Sequence, residues 1–289
     1  MNTERAERLG PASPSSVATF IAGTIVYSWA IWFGLLLAAR IGIISHESPA
    51  NWYGLGGIGP SATAFILSLR SDGWFGVKSL GARVLAWRVP LRWYAFALFV
   101  PAVIRLIGLG LYAATGGTLL SNPIAPVTVI IVFLISMIVP LFEEFGWRGY
   151  MLPALLIRWP PVRAGLYVGI VWAAWHIPLF WIEGTALYRL GQASGLPVAL
   201  AGYSIAVVAL SMLFTLMFYR TNGNLLLAFL LHDATNTSAD VMFAPYQHVG
   251  ILGPGWWSIG VMVMAGSLAC LALLRNRPLA HDASRSIRI

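Results

Sequence analysis

Six polar residues have the types and spacings of a water-activating site. Glu143, Glu144 and Arg148 lie in the run Glu143-Glu144-Phe145-Gly146-Trp147-Arg148; His176 closes Trp172-Ala173-Ala174-Trp175-His176; His232 and Asn236 bracket His232-Asp233-Ala234-Thr235-Asn236. Carboxylates and imidazoles move protons, and an imidazole beside an amide can hold an oxyanion, so the set suits hydrolysis by a localised water. Glu144 and Arg148 are four apart, share a helix face and can pair, which lowers the penalty of keeping either charge dry. Glu143 is then the carboxylate without a local partner and the candidate base. His232 and Asn236, also four apart, address one small volume. Trp172 lies one turn before His176 and is assigned to packing. Asp233 points about 100° away from His232 and is assigned to support or to the surface. Taken singly, each motif has a plainer explanation: solvated salt bridges, a packing histidine, an interhelical hydrogen bond.

The elements that must carry these residues are membrane helices. The 289 residues are 58% hydrophobic and only 10% charged, with a mean hydropathy of +0.78, against roughly 25% charged in a soluble domain. Apolar blocks cover about 17–39, 51–69, 93–114, 125–146, 164–182, 197–219, 223–238 and 255–274. Each is about the length a helix needs to cross a hydrocarbon core of roughly 30 Å. The expectation is an all-α, polytopic bundle of about eight transmembrane helices. The fourth block resumes after the two glutamates and runs to Arg158, with Pro153 marking a break or kink.

Charge sets the orientation. Fourteen Lys and Arg residues fall on one side of this arrangement, in the N-terminal arm, the loops at 70–92, 158–163 and 220, and the tail; only Arg40 and Arg189 fall on the other. The positive-inside rule then places both termini in the cytoplasm. A net charge of +8 that merely tracks topology calls for no nucleic-acid partner. Residues 1–16 read as a disordered cytoplasmic arm, 17–274 as one transmembrane domain and 275–289 as a basic cytoplasmic tail. Cys270 is the single cysteine, which excludes an internal disulfide and a cysteine metal cluster.

Ionisable residues inside a bilayer are costly and mark function by default. Measured from Arg158, Arg163 and Arg220, Glu143, His176 and His232 lie 15, 13 and 12 residues in, depths of roughly 18–23 Å. Three helices thus bring their polar residues to one level. Arg105 is a further intramembrane charge. A transporter with a carboxylate relay would show a repeated half or paired broken helices, and neither is present.

Glu143-Glu144…Arg148, Trp172…His176 and His232…Asn236, in that order on separate spans, resemble the motifs of the CAAX protease and bacteriocin-processing (CPBP) intramembrane peptidases, which include the type II CAAX prenyl endopeptidases. The resemblance covers about 125–238. Its one departure is Trp172 where phenylalanine is often found, which preserves an aromatic wall. The resemblance implies an endopeptidase of the membrane, the plasma membrane if the host is prokaryotic, acting near the C-terminus of a membrane-anchored or lipidated protein or peptide. Bacteriocin immunity or membrane binding without proteolysis is the alternative within the same fold. Glu143 would be the base, with His176 holding the water; His232 and Asn236 would stabilise the oxyanion, and Glu144 with Arg148 would fix the electrostatics. Two histidines and a glutamate also make a catalytic zinc set, Glu143, His176 and His232, so metal-dependent and metal-free chemistry both stay open.

Overall fold

The computed structural model describes residues 14–121, 124–246, 249–251 and 253–275. All regular structure among them is helical. Most of the arm and tail expected at the two ends lies outside the described residues; helix α1 (Pro14–Arg40) is already under way at residue 14.

Five helical segments are long and apolar enough to cross a membrane: Ser16–Arg40, Leu91–Ala114 (α5), Pro161–Trp181, Leu196–Arg220 (α11, which follows the short α10, Ala186–Ser194) and Pro254–Leu274 (α13). The pair of α6 (Pro126–Ser136) and the segment Ile138–Leu156, bent by 41° at the break between them, passes the same test only when taken together, which makes the count five or six among the described residues. Two of the eight expected blocks fall elsewhere, each for a visible reason. The block at 51–69 is cut into α2 (Ser48–Trp52), α3 (Gly54–Gly57) and the start of α4 (Gly59–Ala82). The run Gly54-Leu55-Gly56-Gly57-Ile58-Gly59-Pro60 breaks it; a Cβ on Gly56 would lie 2.3 Å from the indole nitrogen of Trp32. The block at 223–238 is the start of α12 (Leu225–Phe243). This helix carries His232, Asp233, Thr235, Asn236, Thr237 and Ser238, and nearly all of 225–238 is buried. Packed on protein rather than lipid, it has no need to be uniformly apolar.

Lipid offers no hydrophobic drive for helix association, so close approach through small residues does much of the packing. Gly165 and Gly169 of α9 (Pro161–Trp175) meet α11, where added Cβ atoms would sit 2.5 Å from Thr215 Oγ1 and 2.9 Å from Val208 Cα. The Ser211 hydroxyl donates to the Gly165 carbonyl at 2.9 Å across the same interface. Outward faces are apolar: Val127, Ile130, Ile131, Leu134 and Ile135 of α6 are all exposed, as a lipid-facing helix requires. Inside, Trp32, Trp147 and Trp175 are fully buried and in contact, Trp175 lying 4.9 Å from Trp32 and 5.8 Å from Trp147 between ring centroids.

Candidate active site

The glutamate pair rides on α7 (Ile138–Gly146), which α4 holds from behind. Ser61 donates to the Leu141 carbonyl at 2.8 Å, and Gly146 lies so close to Pro60 that a Cβ would stand 2.6 Å from its backbone. Beyond Gly146 the chain widens into a π turn, Trp147–Met151, and then resumes as α8 (Leu152–Leu156) through Pro153. The break expected at Pro153 is thus taken up in the turn before it, a common accommodation where a helix carries function.

Glu144 and Arg148 pair as expected, Arg148 Nη1 donating to Glu144 Oε1 at 2.7 Å with neither side chain exposed. The same oxygen meets His232 Nδ1 at 2.7 Å, a link between α7 and α12 that the linear spacing could not show. Glu144 Oε2 and Arg148 Nε and Nη2 are sealed without partners. The guanidinium is instead sandwiched between aromatic faces, 3.7 Å from the Phe214 centroid and 4.2 Å from that of Trp172. Cation–π contacts desolvated in this way are worth about 2 kcal/mol.

Glu143 has more company than its sequence neighbours suggest. Its Oε2 accepts from the indole N–H of Trp172 at 2.8 Å and, more weakly, from that of Trp147 at 3.3 Å. Trp172, expected only to pack, is therefore a hinge of the site: it holds Glu143, underlies Arg148 and meets His232 edge to face at 5.4 Å. Its carbonyl oxygen lies 2.8 Å from His176 Nδ1. A carbonyl only accepts, so Nδ1 carries the proton and Nε2 keeps its lone pair. His176 does not lie within the helix, as expected, but caps it, because α9 tightens into a 3-10 turn, Ile177–Trp181, with Pro178 at its start.

Asn236, one turn beyond His232, is half-buried, and its side chain has no hydrogen-bond partner among the described residues. Asp233 is not a surface residue. It is fully buried, and its Oδ1 accepts from Ser136 at 2.6 Å where the broken span bends. No signal in the spacing of Ser136 pointed to this contact. Arg105 is not joined to the cluster; its guanidinium lies over Phe243, 5.2 Å from the ring centroid.

The polar atoms therefore fall into two groups. Glu143 Oε1, His176 Nε2 and His232 Nε2 have no hydrogen-bond partner, yet none is among the sealed atoms, although their residues are only 5%, 8% and 4% exposed. Those three atoms are thus unpaired but not fully closed off, where the other polar atoms of the glutamates, the arginine and the two histidines are paired or sealed. Among the described residues no three His, Cys, Asp or Glu side chains are grouped as ligands of one metal ion. Glu143, His176 and His232, the ligands a zinc ion would take, are not grouped in that way in this arrangement.

Residues 125–238 match the family model described as type II CAAX prenyl endopeptidase Rce1-like. Over 157 residues the chain is 26% identical to CAAX prenyl protease 2 of Methanococcus maripaludis, a match covering 50% of this chain and 54% of that protein. The chain thus spans about half the length of this curated relative. The similarity to CPBP peptidases drawn from the three motifs holds, over the same residues that carry them.

Proposed function

We propose that this protein is an intramembrane endopeptidase of the CAAX type, which hydrolyses a peptide bond near the C-terminus of a membrane-anchored, prenylated protein or peptide. Its basic loops and both termini face the cytoplasm under this reading. The observation that carries it is the set of open atoms, Glu143 Oε1, His176 Nε2 and His232 Nε2, each on a side chain whose other polar atom is held by a buried hydrogen bond, to Trp172 or to Glu144.

A water bound between Glu143 Oε1 and the lone pair of His176 Nε2 attacks the scissile carbonyl carbon and gives its proton to Glu143. The carbonyl oxygen becomes an oxyanion, to which His232 Nε2–H and the Asn236 amide donate. Donation from both nitrogens of His232 requires the imidazolium, whose charge Glu144 balances at 2.7 Å. Two carboxylates, one guanidinium and one imidazolium then sum to zero, the condition a low-dielectric site favours. Collapse breaks the C–N bond as Glu143 returns its proton to the leaving amine, leaving a new carboxylate and a short C-terminal peptide.

The test is direct. Purified protein in detergent, given a prenylated peptide ending in a CAAX sequence, is expected to release its last three residues, identified by mass spectrometry. No release from either the prenylated or the unprenylated peptide defeats the proposal. Activity lost on chelation and restored by zinc defeats only the metal-free account of water activation.

Trp172→Phe separates the two duties of that residue. The ring remains beneath Arg148 while the N–H to Glu143 is lost. Turnover is expected to fall roughly tenfold, the scale of a charged hydrogen bond of about 1.5 kcal/mol, with the melting temperature little changed. A normal rate in steady-state assays would show that the indole only packs.

A further inference from the structure

Pro153 creates a problem that a distant residue solves. In an α-helix the carbonyl of residue 149 accepts the N–H of residue 153, and proline has none. At this point the guanidinium of Arg83 reaches in from the turn between α4 and α5, and its Nη1 donates to the Gly149 oxygen at 2.6 Å. The approach is built on both sides. Gly149 leaves room for the end of α4, since a Cβ there would stand 2.8 Å from Leu80 Cδ1, and Arg83 is half-buried, with Phe218 beneath it at 6.0 Å. The turn is also fastened from α12. Asn224 caps that helix through the Leu227 N–H at 2.9 Å and donates its amide to the Ala86 carbonyl. Burial lowers the Arg83 guanidinium from its usual pKa, a cost that a freely solvated arginine does not bear.

We propose that Arg83 is a positioning residue for the hydrolytic site: by donating to the Gly149 carbonyl in place of the missing N–H of residue 153, it holds the π turn that sets Glu143, Glu144 and Arg148 against α9 and α12. Arg83 touches no reacting atom. It acts through the backbone of Gly149, one residue past Arg148, and the wide turn keeps its register because an external donor meets the carbonyl that Pro153 leaves open.

The kinetic arm of the test rests on the proposed peptidase activity; the exchange arm does not. Arg83→Met is expected to lower kcat about tenfold, the scale of one charge-assisted hydrogen bond, with KM changed less than about twofold. Pro153→Ala restores a backbone N–H opposite Gly149 O. In that background Arg83→Met should cost less than about twofold, so the two substitutions should be strongly coupled in a double-mutant cycle. Hydrogen exchange of the amides at 150–152 should quicken in Arg83→Met and slow again in the double variant, whether or not any peptide is cleaved. If Arg83→Met does not fold, Arg83→Gln, uncharged and two atoms shorter, carries the same cycle. Unchanged exchange in the single variant, or an equal loss of kcat in both backgrounds, overturns the proposal. Exchange that follows the cycle in a protein inactive on every peptide leaves the clamp standing and removes the peptidase reading instead.

Discussion

Glu143→Gln is expected to reduce peptide cleavage by roughly 10³-fold while leaving the protein folded. General acid–base catalysis contributes 10²–10⁴ to comparable reactions, and the wild-type site offers no second carboxylate to replace Glu143: Glu144 Oε1 is committed to Arg148 and His232, and its Oε2 is sealed. The substitution is also gentle. An amide oxygen can still accept from Trp172 and Trp147, which hold the wild-type Oε2, so the site should keep its shape and substrate affinity. Single-turnover release of the C-terminal peptide reads the loss, and thermal melting in detergent checks the fold. Cleavage at the wild-type rate would remove Glu143 from the chemistry.

Glu144→Ala should have the largest effect on stability. It strips Arg148 of its counter-charge in a fully buried position and frees His232 Nδ1 in the same step. Breaking a buried pair by removing one partner costs about 3–5 kcal/mol, because an uncompensated charge stays behind. The pair Glu144→Ala and Arg148→Met removes both charges, keeps an apolar chain between Trp172 and Phe214, and should recover much of that loss without restoring cleavage, since His232 remains untethered. Unfolding in detergent of the single and double variants decides this. If the single variant is as stable as wild type, Glu144 is not what makes the buried arginine tolerable.

What the sequence made legible was whatever depends on spacing along one helix. The Glu144–Arg148 pair needs only a separation of four, and it forms at 2.7 Å. Contacts between helices were not legible in the same way. That His232 meets the oxygen already used by Arg148, that Trp172 donates to Glu143, and that Asp233 receives Ser136 all depend on how helices are rotated against one another. Spacing says little about that rotation in a membrane bundle. Composition also misleads where a helix is surrounded by protein. The polar half of α12 could be read as a membrane segment only because apolar residues from Leu225 to Leu231 precede it. The glycines at 54–59 did signal a break; a count of apolar residues passed over it.

The turn of α12 holding His232 and Asp233 has a mechanical consequence. His232 is tied to Glu144 on the segment after the bend, and Asp233 to Ser136 at the end of the segment before it. Two successive residues of one helix therefore splint both limbs of the broken span. Any swing of α6 about Met137 must either break the Ser136–Asp233 bond or pull on the turn that bears His232. A displacement of α6, whose apolar side chains are exposed, would then reach His232 through its chain neighbour Asp233, and under the proposed peptidase reading the lipid environment becomes a variable of the reaction rather than only its container.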